Sequence, residues 1–283
     1  VIVPLYKGDE YIEEFLKDME QQTVFDNCEL IIINANSPGN EEDYILPFIE
    51  RNPNVLYRKL DYVASVMETE NMAIEMSTGE FIAQACVDDR HSKDSLEILA
   101  KHLHFNPGVD LVYGDCLETR FPNETFEENS SAGRLYEHSQ KEFTKENMIK
   151  CLPGPMPMWR KSVHKKIGFF NPELRRSGDW EFFLRMVEFG SRFKKIDVPI
   201  GLYYYNSEGL STAENLSCLT NISIFSEKGT MKCIRTISTN LMRRKTNDKK
   251  IFTHSFGADR SSVDSPVKRG VYYGAQERIF TRD

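Results

Sequence analysis

A thiol and two carboxylates share the stretch Cys86-Val-Asp88-Asp89. Adjacent carboxylates are hard oxygen donors suited to Mg2+ or Mn2+, which makes Asp88 and Asp89 candidate metal ligands. A cation held there would neutralise a diphosphate leaving group. The plain structural alternative makes Asp89 the cap of the following helix and Asp88 a solvated turn residue. A third carboxylate, Asp179, stands in Ser177-Gly-Asp-Trp-Glu-Phe-Phe-Leu-Arg, at or just before a helix start. Asp is a preferred cap there; its chemical alternative is a general base tuned by its pocket. Leu152-Pro-Gly-Pro-Met-Pro-Met-Trp159-Arg160 fixes an irregular backbone with three prolines and a glycine. It ends in an indole and a guanidinium that can stack on or pair with a ligand, or it is a rigid loop over the core.

The elements that must position these residues alternate. Val1–Leu5, Glu29–Ile33, Val55–Lys59, Glu80–Val87 and Val109–Gly114 read as strands, rich in β-branched residues. Between them Asp9–Gln22, Glu41–Arg51, Ala64–Ser77 and Lys93–Asn106 carry apolar residues at helical spacing. Such alternation predicts βαβ units and a mostly parallel central sheet flanked by helices. Ligands of such sheets bind at the carboxyl ends of the strands. Asn34 and Asp88 each follow a strand directly, so the polar clusters fall where a site belongs. Glu118–Phe143 is polar and weakly periodic, and reads as a long loop or an irregular excursion over one face of the sheet.

The 283 residues allow one large or two modest domains. With 40% apolar and 28% charged residues the chain is globular in type. No run of about 18 apolar residues marks a spanning helix, and a net charge of −7 argues against a nucleic-acid partner. Residues 219–283 hold 13 lysines and arginines against 6 acidic residues, whereas the first 218 carry −14. The shift marks a domain at 1–217 and a basic extension or linker, helical or irregular, at 218–283. Within it, Met231–Lys250 reads as an amphipathic helix, either packed back on the body or resting on anionic lipid. Six cysteines without CxxC spacing read as thiols in a reducing compartment, with Cys28 and Cys116 buried. His91 and His164 read as solvent-facing helix residues, and no histidine is assigned as a ligand. The chain opens on Val1 inside an apolar run, so its natural start is expected upstream.

Five fragments in order resemble the family 2 glycosyltransferases of GT-A (Rossmann-like) fold. Val1-Ile-Val-Pro-Leu-Tyr-Lys-Gly-Asp-Glu-Tyr-Ile is similar to the opening strand and turn, and Glu29-Leu-Ile-Ile-Ile-Asn-Ala-Asn-Ser to the second strand and nucleotide-contacting turn. Thr78-Gly-Glu-Phe-Ile-Ala, running into Val87-Asp-Asp, resembles the strand that delivers the DxD metal motif. Gly154-Pro-Met-Pro-Met-Trp-Arg and Gly178-Asp-Trp-Glu-Phe-Phe-Leu-Arg resemble the acceptor-side segment and the helix of the catalytic base. The match covers about residues 1–215.

The resemblance implies metal-assisted, inverting sugar transfer from a nucleotide-diphosphate donor, a UDP-sugar by first expectation, to a hydroxyl of a carbohydrate or lipid-linked acceptor. It implies Mn2+ or Mg2+ on Asp88 and Asp89, and Asp179 as base. It places Pro4 and Tyr6 in the nucleotide pocket, Asn34 and Asn36 near the base, and Asp61 at the end of the third strand. Trp159 and Arg160 would stand near the donor or acceptor sugar. A cytoplasmic enzyme, at the inner face of the membrane if the 231–250 helix binds lipid, is the expected setting. Three positions depart from the family pattern: Cys86 stands for the first acid of DxD, Asn34 for an acid after the second strand, and Gly178 for the first acid of a Glu-Asp pair. The alternative reading is a catalytically inactive relative that binds nucleotide or sugar, or acts as a scaffold. A nucleotidyltransferase is disfavoured, because the turn after the first strand, Tyr6-Lys-Gly-Asp-Glu, has no Gly- and Lys/Arg-rich phosphate loop.

Overall fold

A computed structural model of the chain describes residues 1–207, 209, 210 and 212, and the backbone of three strands beyond them. The first half follows the expected alternation. Strand β1 (Ile2–Leu5), helix α1 (Ile12–Glu20), β2 (Leu30–Asn34), α2 (Glu42–Arg51), β3 (Val55–Lys59) and α3 (Val66–Met76) succeed one another. Helix α1 buries Ile12, Phe15, Leu16 and Met19, the stripe its spacing predicts. Every residue of β2 is buried, as a strand held between β1 and β3 must be. The Ser65 hydroxyl caps α3 by accepting the Glu68 N–H at 3.2 Å.

The second half is less regular. It contains β4 (Phe81–Ala83), β5 (Arg90–His91), α4 (Ser95–Phe105), β6 (Leu111–Thr119), β7 (Met158–Arg160), α5 (His164–Ile167), α6 (Gly178–Glu188) and β8 (Phe193–Tyr204). Strands β1, β2 and β3 pair in parallel. The other group runs β4-β7-β6-β8-β5 and is mixed, parallel only between β6 and β8. A bridge between Ile2 and Gln84 joins the two groups. The parallel expectation therefore holds where strand and helix alternate. It ends where the chain returns from the long excursion after β6 and lays β7 antiparallel between β4 and β6.

The C-terminal region corrects one expectation. Strand β9 (Thr220–Glu227) pairs antiparallel with β10 (Thr230–Ile237), so the amphipathic helix read over 231–250 is a strand in its first part. Its remainder lies outside the described residues. Thr220, Ile222 and Ile224, then Thr230, Ile234 and Thr236, repeat β-branched residues with period two, which favours strand over helix. A last strand, β11 (Val271–Tyr273), pairs antiparallel with β3. No helix among the described residues is long and apolar enough to cross a membrane.

Candidate active site

The carboxyl ends of β1, β2 and β3 lie along one edge of the sheet and carry the first group of expected site residues. Tyr6 is exposed after β1, Asn36 is exposed after β2 in the left-handed region (φ 58°), and Asp61 is exposed after β3. Pro4, in β1 opposite Ile33, is partly exposed. The two turns are laced together. Lys7 N–H donates to Ser37 Oγ at 2.8 Å, Gly8 N–H to Glu41 Oε1 at 2.8 Å, and Asn40 N–H to Asp9 Oδ1 at 2.5 Å. Asn34 belongs to this brace. Its Oδ1 accepts Ser37 N–H at 2.7 Å, its Nδ2 donates to Tyr57 Oη at 3.0 Å, and its side chain is buried. It shapes the turn rather than facing a ligand.

After β4 the chain leaves the sheet and turns, with Asp89 N–H donating to Cys86 O at 3.2 Å. The turn brings one ligand atom each from Cys86, Asp88 and Asp89 within 4.8 Å of one another. Asp89 does not cap α4. One of its oxygens accepts Tyr204 N–H from β8 at 2.9 Å, which leaves the other free. Burial raises the proton affinity of both carboxylates, and the charge of Asp88 raises that of Asp89 further. The Cys86 thiol is pushed well above its usual range by burial, then by the charges of Asp89, Asp88, Glu70 and Asp179. The charges of the paired aspartates and of the candidate base thus both reach it.

Asp179 occupies the first turn of α6 and is no N-cap; Ser177 holds that place in a left-handed conformation (φ 56°). Burial raises the affinity of Asp179 for a proton, and the N–H groups of Trp180 and Asp179 and the Cys151 thiol moderate the rise. The Cys151 sulfur lies 3.9 Å from Asp179 Oδ2. Gly178 has a packing reason. A Cβ there would stand 2.2 Å from Met67 Sδ and 2.6 Å from Met67 Cγ, so any side chain at 178 would make the Met67 side chain on α3 swing aside.

Sequence patterns gave no reason to single out Glu70. It is fully buried on α3, accepts Gln84 Nε2–H at 2.6 Å, and is pushed up to about 8 by burial and by the charge of Asp179. Among the described residues its Oε2 and the Gln84 Oε1 have no hydrogen-bond partner. Tyr136 and Tyr203, with ring centroids 4.6 Å apart, span the same ground. Burial raises both phenols; Asp89 and Asp88 add to the shift of Tyr203, and Cys151 and Asp179 to that of Tyr136.

Five further expectations need correction. Trp159 is fully buried among Phe170, Phe182 and Phe183, and its Nε1–H donates to His164 Nε2 at 3.0 Å. It is a core residue with no face for a sugar. Arg160 pairs with Phe81 at the start of β4, the end remote from Cys86. Its guanidinium binds the Val109, Leu103 and Asn106 carbonyls and Glu80, closing the end of α4. His164 is buried and pushed down to about 4 by desolvation; Nδ1 faces Gly168 O at 3.0 Å. His91 is also buried, in β5, with its N–H on Asp18 Oδ2 at 2.9 Å, and burial pushes its ring down to about 4. Cys116 is buried as expected, whereas Cys28 is half-buried.

One sulfur and two carboxylates, one oxygen of which is already committed, are a donor set that fits a divalent cation. Among the described residues no other group hydrogen-bonds the Cys86 sulfur or the Asp88 carboxylate, which takes only the N–H of its own backbone. The chain is similar to known proteins of one kind. Minor teichoic acid biosynthesis protein GgaB of Bacillus subtilis is 26% identical over 98 residues, 34% of this chain and 11% of GgaB. The crystal structure of S. aureus TarS 1–349 in complex with UDP-GlcNAc superposes with a TM-score of 0.62 at 18% identity, covering 76% of this chain and 61% of TarS 1–349. The mannosyltransferase PcManGT from Pyrobaculum calidifontis, in complex with GDP-Man and Mn2+, gives 0.58 at 17% identity over 74% of this chain and 57% of its own. The chain thus spans a small part of GgaB and about three fifths of the two structures, which share its GT-A fold. The sequence profile of glycosyl transferase family 2 matches residues 1–168, more than half of the length, and the chain belongs to that family.

Proposed function

We propose that the chain moves a sugar from a nucleotide-diphosphate donor, a UDP-sugar, to an acceptor hydroxyl with inversion at the anomeric carbon. One observation carries the reading. Cys86, Asp88 and Asp89 bring their ligand atoms within 4.8 Å of one another, and the charge of Asp179 at the start of α6 reaches the same thiol, which supports a leaving-group site and a base within one neighbourhood. Pro4, Tyr6, Asn36 and Asp61 line the nucleotide end of the sheet edge, with Asn34 bracing the turn behind them. The acceptor oxygen attacks the anomeric carbon opposite the diphosphate. The bond from that carbon to the phosphate oxygen breaks, and its electron pair leaves on the nucleotide. The hydroxyl proton passes to an Asp179 oxygen, whose burial makes it a stronger proton acceptor than a solvated aspartate. A divalent cation on Cys86, Asp88 and Asp89, Mn2+ or Mg2+ by the family's habit, would set positive charge against the leaving diphosphate.

The two solved structures support the donor class, since one holds UDP-GlcNAc and the other GDP-Man with Mn2+. The name of GgaB, a minor teichoic acid biosynthesis protein, supports an acceptor of that polymer class. The test is a screen of nucleotide sugars with and without Mn2+, read by release of the nucleoside diphosphate and by thermal shift. Selective stabilisation by one donor, with slow nucleotide release, is the expected result. Binding without release in the wild type, with every acceptor class supplied, would leave a non-catalytic binding domain instead.

A further inference from the structure

The cation site is not built from oxygen alone. Of its three donors, the two aspartates are hard and the third is the sulfur of Cys86. The Cys86 side chain is only partly buried, and no described group engages its sulfur. Mg2+ demands near-octahedral oxygen coordination and retains several waters. A sulfur in the shell serves it poorly, whereas Co2+, Zn2+ and Cd2+ gain from a thiolate. We propose that Cys86 makes this a thiophilic site, one that binds Co2+, Zn2+ or Cd2+ in preference to Mg2+, with Mn2+ between them. Binding replaces the S–H bond by a sulfur–metal bond, and the proton leaves to solvent. The geometry favours that exchange, because the sulfur and the two carboxylates already lie within 4.8 Å of one another. One Asp89 oxygen is fixed by Tyr204 N–H, which orients the other.

This inference rests on the cation role given to Asp88 above, and the experiment separates the two. The purified chain is titrated with Co2+ and watched for thiolate-to-Co2+ charge-transfer absorption in the near ultraviolet, alongside calorimetry. The wild type should show the band, Zn2+ should abolish it at stoichiometric amounts, and Mg2+ should fail to abolish it at ~100-fold excess. Cys86→Ser should lose the band and bind Co2+ at least ~10-fold more weakly. Cys86→Asp should restore an oxygen-only shell and narrow the gap between Mg2+ and Co2+. Near-ultraviolet circular dichroism of the metal-free variants checks that both fold, and Asp88→Asn should abolish binding in either background. Calorimetric Co2+ binding without a sulfur band, or equal displacement by Mg2+, overturns the thiophilic site and leaves the cation role standing. A wild type that binds no divalent cation yet turns over donor overturns both.

Discussion

The two ends of the cleft are built on opposite principles. At the nucleotide end, the turns after β1 and β2 satisfy one another: Lys7, Gly8 and Asn40 donate to Ser37, Glu41 and Asp9, and both ends of Asn34 are spent on neighbours. At the other end, Asp88, Asp89, Glu70 and Asp179 crowd one thiol, each with its proton affinity raised by burial. Buried polar groups are stable when paired and costly when not. The first region is therefore a largely satisfied scaffold that sets shape, with Glu41 Oε2 left without a partner among the described residues. The second keeps unbalanced charge that a ligand or a proton must complete. Substitutions should act on stability in the first region and on chemistry or pH response in the second.

The sharpest way to break that contrast is Asp179→Asn. It should lower turnover by ~10^3-fold or more while the fold and donor binding persist, in line with the loss of a general base. Initial rates and donor affinity measured on the same preparation decide it; turnover close to wild type would remove Asp179 from the chemistry. Next is the charge on Glu70. Its folded affinity for a proton, pushed up to about 8, exceeds the ordinary glutamate value of 4.5. Between those values the folded state holds the proton and the unfolded state does not, so stability falls as pH rises from about 4.5 to about 8. Glu70→Gln should flatten that slope, by a few kcal/mol at the alkaline end, in urea melts across the range. An unchanged slope would show that Glu70 is not the group that titrates.

Smaller effects belong to the scaffold. Trp159→Phe removes the hydrogen bond to His164 and part of the indole volume, and should cost about 2 kcal/mol of stability with rate per folded molecule intact. A selective loss of donor affinity instead would return Trp159 to the site. Ser37→Ala, which strips the acceptor from Lys7 N–H, should cost about 1 kcal/mol. Denaturant melts measure it. A drop in turnover larger than the drop in stability would mean that the nucleotide end takes part in chemistry after all.

What the sequence could and could not disclose divides along a similar line. Periodicity is local, so α1, α2, α3 and α4 and the five early strands were readable, as was the position of Asp88 and Asp89 at a strand end. Burial is not local. Glu70 looks like any charged residue of a helix until α3 is seen packed where Asp179 and Gln84 reach it. Trp159 and Arg160 sit in a proline-rich stretch that suggested a loop facing ligand. The short strand β7 instead inserts between β4 and β6 and carries the indole into the core. His91 and His164 were misplaced for the same reason: nothing in their neighbours along the chain shows that β8 or the Phe182 ring will cover them. The strand β10 was hidden by its lysine and arginine, which mimic the polar face of a helix, while the period-two run of β-branched residues decided the backbone.

The contact between Gly178 and Met67 carries a consequence for how this protein can change. A second acid beside Asp179 would set its first carbon against the Met67 thioether, so Met67 would have to take another rotamer. A smaller residue at 67 would remove that conflict, and alone it would open a void beneath α6. The two positions are thus coupled. Laboratory selection for a Glu-Asp pair should enrich changes at 67 alongside it.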